Sequence, residues 1–206
     1  MATELRAHAD TTKQGVIFYP FHVFSDEFPI VVLALATKKK LSVISDVSKD
    51  TWSSKWGQAV SQFRSDWISD LDLYNPFELS ENDAAKNIRK IIGECKNDLC
   101  DFALFPDALP EYTVRLRGAH TYKKSTIFER RALLHSGGFV FPRLMKKDIL
   151  PYYVYVEGFK LKLRIFPLID KGDVGDKLPF LIECVIKEKS EQWMLWHFPS
   201  FYYFNG

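Results

Sequence analysis

The stretch from Tyr152 to Ile165 constrains this chain most. Tyr152 to Val156 is aromatic and β-branched, Glu157-Gly158 supplies a turn, and Phe159, Leu161, Leu163 and Ile165 then alternate with Lys160, Lys162 and Arg164. A period of two sends successive side chains to opposite faces, so the segment predicts an antiparallel hairpin with one apolar face. A two-stranded ribbon is marginal alone, and that face demands further strands or helices to cover it.

Other segments read as strands that complete the sheet. Ile30 to Ala36 is a continuous apolar run, and Lys38-Lys39-Lys40 turns it back into Leu41 to Ser45. Tyr112, Val114 and Leu116 alternate with Thr113, Arg115 and Arg117. Phe139, Val140 and Phe141 lie between Gly137-Gly138 and Pro142, and Phe180 to Lys187 and Gln192 to Phe198 read as two closing strands. Gly15 to Phe24 is interrupted by Pro20, which points to an edge strand or a docking segment.

Two helices are expected between these runs. Trp52, Trp56, Val60, Phe63, Trp67 and Leu71 recur at three- and four-residue spacing and form one helical stripe, ended by Asn75-Pro76. Ala84, Ile88, Ile91, Cys95 and Leu99 form a second stripe behind the capping pattern Ser80-x-x-Asp83. Residues 1–14 are polar and expected to be loose, and Pro167 to Pro179 reads as a mobile loop. The expected fold class is therefore α+β: an antiparallel sheet packed with two main helices in a single compact domain over residues 15–206.

The net charge of +2 hides an asymmetry. Residues 1–110 carry 12 Lys and Arg against 16 Asp and Glu, and residues 111–206 carry 16 against 10. Arg115, Arg117, Lys123, Lys124, Arg130, Arg131, Arg143, Lys146 and Lys147 face a single acid, Glu129, within one short stretch. Such a molecule can meet an anionic surface or stack acid against base on its own copies. No run of eighteen apolar residues is present, the first residues lack a signal peptide's apolar stretch, and three cysteines suit a reducing compartment better than a disulfide scaffold.

Motifs for chemistry are sparse. There is no phosphate-binding glycine loop, no Gly-x-Ser-x-Gly and no His-Glu-x-x-His. Cys95 and Cys100 lack a histidine at metal-ligand spacing and read as buried thiols. His22 and His120 lack the hydroxyl that a paired-histidine phosphoesterase needs two positions on. Glu183-Cys184-Val185 has valine where a metal-dependent nuclease needs lysine. The expectation is a protein that is not an enzyme and needs no cofactor or metal.

Aromatics, at 15% of the chain, supply more ring area than a small core requires, which turns attention to surfaces. Phe139 and Phe141, flanked by Lys123, Lys124, Arg130, Arg131, Arg143, Lys146 and Lys147, have the make-up of a membrane- or nucleocapsid-binding tip. Phe18, Tyr19 and Phe21, with Phe201, Tyr202 and Tyr203 near the end of the chain, are candidates for self-association. For each set the alternative is burial in the core.

The order of these segments resembles the matrix proteins of rhabdoviruses. The resemblance runs over residues 30–200: a hairpin at Ile30 to Ala36, the polar Ser45-Asp46-Val47, a Trp-bearing helix from Trp52, and Pro110-Glu111-Tyr112 leading to Arg117-Gly118-Ala119. It continues through the hairpin from Pro151 to Ile165, a strand over 181–189 and a Trp-led strand from Trp193 to Phe198. The chain departs from that family in its short amino terminus and in having no Pro-Pro-x-Tyr, with only Leu109-Pro110-Glu111-Tyr112 and Leu150-Pro151-Tyr152-Tyr153 in its place. What the resemblance implies is a structural protein that self-assembles into an open helical array, condenses the viral nucleoprotein–RNA complex and links it to an anionic membrane and an envelope glycoprotein tail. Its place would be the virion beneath the envelope, and the host cytoplasm, membranes and nucleus.

Two other readings remain. One is an inhibitor of the anti-defence or immunity type that binds a single protein through the acidic stretch 66–107. The other is an RNA-binding silencing suppressor that uses Arg115, Arg117, Lys123 and Lys124 beside Tyr122.

Overall fold

The computed structural model describes residues 1–12, 14–45, 49–63, 66–74, 81–110, 122–198 and 201–203. The strand that organises it is β1 (Val16–Pro20), whose five residues are all buried. A continuous apolar run of this kind suits a strand covered on both faces. Its neighbours β4 (Cys100–Ala103) and β7 (Asp148–Glu157) both run parallel to it. Beyond β4, the strands β2 (Lys40–Ile44) and β3 (Leu71–Tyr74) continue in the same direction. Only β8 (Lys160–Ile165), at the far edge, is antiparallel, and the sheet order is β3-β2-β4-β1-β7-β8.

Helices cover both faces. Val16 and Phe18 of β1 pack with α1 (Ala2–Ala9), α2 (Glu27–Ala36) and α3 (Lys49–Ser61), while Ile17 and Tyr19 pack with α5 (Glu81–Lys96), α6 (Gly137–Met145) and α7 (Val174–Glu188). The short α4 (Trp67–Asp70) leads directly into β3. A separate antiparallel hairpin, β5 (Tyr122–Ile127) and β6 (Arg130–His135), precedes α6. The chain ends in short 3₁₀ turns at Met194–His197 and Phe201–Tyr203.

The expected α+β fold with an antiparallel sheet is thus corrected to α/β with a mostly parallel sheet. Ile30–Ala36 is helix, not strand. A short apolar run fits a buried helix as well as a buried strand, and here the start decides: Ser25 Oγ accepts from the Glu27 amide at 3.0 Å and caps the first turn. Phe180–Lys187 belongs to α7, whose buried Val174, Leu178, Leu181, Ile182, Val185 and Ile186 follow helical spacing. Gly137–Pro142 is the start of α6, and Gln192–Phe198 is a turn followed by 3₁₀ helix. β1 is central, not an edge, because Pro20 falls at its last position, where its missing N–H interrupts nothing inside the ladder.

The stripe from Trp52 to Leu71 is divided among α3, α4 and β3, with Phe63 exposed between them. Within the segment 1–14, α1 seats Leu5 fully in the core. The expected loop 167–179 is held by paired backbone hydrogen bonds between Ile149 and Ile169 and then enters α7. The second helix stands over Glu81–Lys96, with Leu99 of the expected stripe exposed beyond its end, and the hairpin at 152–165 stands with its two-residue loop at Gly158-Phe159, one residue later than expected, with Gly158 at φ +60°. The strand expected over 112–117, Ser80 and His120 lie outside the described residues.

Candidate functional site

In open α/β sheets ligands gather at the carboxyl ends of the strands, where successive connections depart to opposite faces. Here that point is the seam between β1 and β4. The chain leaving β1 enters α2 on one face, and the chain leaving β4 reaches α6 on the other. Two residues past β1 stands His22, and four past β4 stands Asp107.

The two are bonded twice. Asp107 Oδ1 lies 2.8 Å from His22 Nδ1, and Oδ2 accepts from the His22 backbone N–H at 3.1 Å. Oδ2 also accepts from Trp193 Nε1 at 3.0 Å, and the Asp107 carbonyl accepts from the Tyr202 hydroxyl at 2.8 Å. Asp107 has no exposed surface, whereas the His22 side chain retains about a sixth of its own. The Phe105 ring lies 4.4 Å from the imidazole, centroid to centroid.

A carboxylate only accepts, so the proton of a neutral His22 sits on Nδ1 and the basic lone pair sits on Nε2. The carboxylate also steadies the imidazolium that forms when Nε2 takes a proton. The chain end completes the frame: Met194 N–H donates to the His22 carbonyl at 2.9 Å, and Phe24 N–H donates to the Gln192 carbonyl at 2.7 Å. Chemically, the arrangement is a held base against the Phe105 ring, with its carboxylate partner shared with the buried Trp193.

The residues singled out from the sequence are distributed elsewhere. Phe139 and Phe141 are buried on α6, and Phe141 meets Phe102 edge-on at 5.3 Å. Phe18, Tyr19, Phe21 and Tyr202 are fully buried, with the Tyr19 hydroxyl donating to the Gly138 carbonyl at 2.7 Å. Phe201 and Tyr203 are half-buried. Lys147 is buried, with Nζ 3.0 Å from Asp98 Oδ1. Lys123 donates to the Gly175 carbonyl and sits 4.4 Å from the Phe139 ring, and Arg130 stacks over Tyr203 at 3.7 Å. Lys124, Arg131, Arg143 and Lys146 are exposed. Of the basic residues, Lys124, Arg130, Arg131, Arg143 and Lys146 therefore reach solvent and Lys147 does not, while most of the rings assigned to the same surfaces fill the core.

A second polar cluster lies at the opposite, amino end of the strands. Arg6 pairs with Asp10 and Asp101, Thr37 bonds Asp101, and Asp98 pairs with Lys39 and Lys147, around a cleft of about 290 Å³. Its acids and bases neutralise one another, which is the make-up of a structural network.

Among the described residues no group of three or more His, Cys, Asp and Glu is placed to hold a metal ion, and no helix is long and apolar enough to cross a membrane. No protein-family model matches the chain, and no curated protein matches it.

Sequence reasoning reaches His22 only as half of a His22/His120 pair, which it sets aside for want of the hydroxyls, and His120 lies outside the described residues. The signal for Asp107 is an acid just past an apolar strand, in Phe105-Pro106-Asp107. It becomes informative only once β4 is known to lie beside β1.

Proposed function

We propose that this protein binds a small molecule at the carboxyl edge of its sheet and that His22, held by Asp107, serves there as a general base. The observation that carries this reading is the paired bonding of His22 to a fully buried Asp107 at the seam between β1 and β4. A positioned imidazole of this kind contributes roughly 10²–10⁴-fold to a proton transfer. Its targets are a water or a substrate hydroxyl.

Of the segments that carry the resemblance to matrix proteins, the Trp-bearing helix and the hairpin to Ile165 are present, and three others take another form. Two of its strands, at 30–36 and 181–189, coincide with α2 and α7, and its Trp-led last strand coincides with a 3₁₀ turn. Arg115 and Arg117, on which the RNA-binding reading partly rests, lie outside the described residues.

The test is chemical. Diethyl pyrocarbonate acylates a basic, reachable imidazole nitrogen. His22 should be modified in the native protein, and Asp107→Asn should slow that modification while the exposed His8 and His197 react as before. Failure of native His22 to react while His8 does would overturn the reading. With p-nitrophenyl esters as generic substrates, any turnover should fall at least about a hundredfold in His22→Asn.

A further inference from the structure

The proposed site makes no use of the cysteines, and two of them are brought together at the other end of β4. Cys95 closes the last turn of α5 and Cys100 opens β4. Their sulfurs lie 3.0 Å apart, and each residue is only 1% exposed. Disulfide formation needs the sulfurs at ~2.04 Å, so the pair is about 1 Å from bonding distance. The turn that joins them, residues 96–99, is exposed throughout, with Leu99 at 64%.

We infer that Cys95 and Cys100 form a reversible intramolecular disulfide, with hydrogen peroxide or a small organic peroxide as the oxidant. The two thiols are not equivalent. Either sulfur can donate across this contact, and sharing one proton there raises the pKa of Cys95 and lowers that of Cys100. Cys100 is therefore the attacking thiolate and Cys95 the resolving thiol.

The Cys100 thiolate attacks one peroxide oxygen, the O–O bond breaks, and hydroxide leaves and is protonated to water (or an alkoxide to alcohol), giving a sulfenic acid on Cys100. Cys95 then loses its proton and attacks the Cys100 sulfur. The S–O bond breaks and the expelled hydroxide takes up that proton as water. Two thiols are oxidised by two electrons, and one peroxide is reduced by two. The oxidant is close to water in size, and it needs only a loosening of the exposed turn to reach Cys100. The third thiol, Cys184 on α7, is half-buried, and burial raises its pKa, so it is the slower thiol and an internal reference.

The whole reduced protein is treated with hydrogen peroxide, then alkylated and weighed without reductant. The expected result is one alkyl group added instead of the three that the untreated protein takes, on a chain itself lighter by about 2 Da, the two hydrogens lost on oxidation. Trypsin cleaves after Lys96, so the cross-link appears as the peptide 91–96 joined to the peptide 97–115, and dithiothreitol separates them. In Cys95→Ser, dimedone should trap a sulfenic acid on Cys100, and in Cys100→Ser it should trap none on Cys95. Three surviving thiols, under peroxide that oxidises the urea-unfolded chain, would overturn the inference. A cross-link to Cys184, or added oxygen without any cross-link, would overturn it too.

Discussion

Trp193 Nε1 donates to Asp107 Oδ2 at 3.0 Å, across 86 residues of chain. With the two bonds from His22, this leaves the carboxylate of a fully buried aspartate surrounded by donors. Asp107 therefore ties three parts of the molecule together: the exit of β1, its own loop after β4, and the chain end that crosses both.

Asp107→Ala should be among the most damaging single changes, because it strands a buried indole N–H and an imidazole together. Breaking a buried, hydrogen-bonded partnership costs about 3–5 kcal/mol. Trp193→Phe keeps the ring and loses one bond to a charged group, a cost of about 1.5–3 kcal/mol. Urea denaturation followed by circular dichroism measures both. A loss under 1 kcal/mol for Asp107→Ala would show that the partners find water instead.

The sequence makes the periodic parts of this fold legible and leaves the ambiguous ones open. Leu161, Leu163 and Ile165 alternate strictly, and their strand stands where it is expected. Ile88, Ile91 and Cys95 keep a helical spacing, and α5 follows it. Ile30 to Ala36 has no period, so its sequence fits a strand or a helix, and as a helix it supplies the first β-α-β crossover and with it the parallel sheet. The site is ambiguous in the same way. His22 is visible as a residue, but its partner 85 positions away is set by the parallel pairing of β1 with β4, which no local pattern announces.

Gly15 immediately precedes β1 with φ at +67°, and a Cβ there would come within 2.9 Å of Lys147 Nζ and 3.1 Å of Asp98 Oδ1. Gly15→Ala should destabilise by about 1–3 kcal/mol, since both the left-handed backbone and the crowded amine oppose it. Gly57→Ala is the control, because a Cβ there meets nothing within 4 Å and the position is helical. It should be neutral or slightly stabilising, as alanine favours the helix. Equal midpoints for the two variants would count against the strain.

Asp98 gives the acid side of the stability curve a specific contributor. Burial pushes its pKa up, but hydrogen bonds from Lys39 and Lys147 outweigh that and hold it below its ordinary value. A carboxylate whose folded pKa is depressed binds protons less readily folded than unfolded. Its contribution is present above the unfolded value of about 3.9 and fades as pH falls through the folded one. Asp98→Asn should therefore be less stable than the native chain at pH 7, and the gap should close below about pH 4. Asparagine tolerates the positive φ of this position, so the comparison reads charge and not backbone. Parallel stability curves for the two proteins from pH 7 to pH 3 would contradict the assignment.

Helix α6 separates burial from exposure within two adjacent residues. Phe141 is 9% exposed and packs on Phe102, while Val140 is 44% exposed beside Arg143 and Leu144. Phe141→Ala removes a core ring and should cost about 3–5 kcal/mol. Val140→Ala changes a surface position and should stay within about 0.5 kcal/mol. The same two variants address the sequence-based expectation that these rings form a contact tip. A tip would lose binding to anionic vesicles with its fold intact, whereas a core ring loses the melting transition first. Thermal denaturation of both variants decides between them. The predicted outcome is a large drop in Tm for Phe141→Ala alone, and an unchanged Tm for that variant would place Phe141 outside the core.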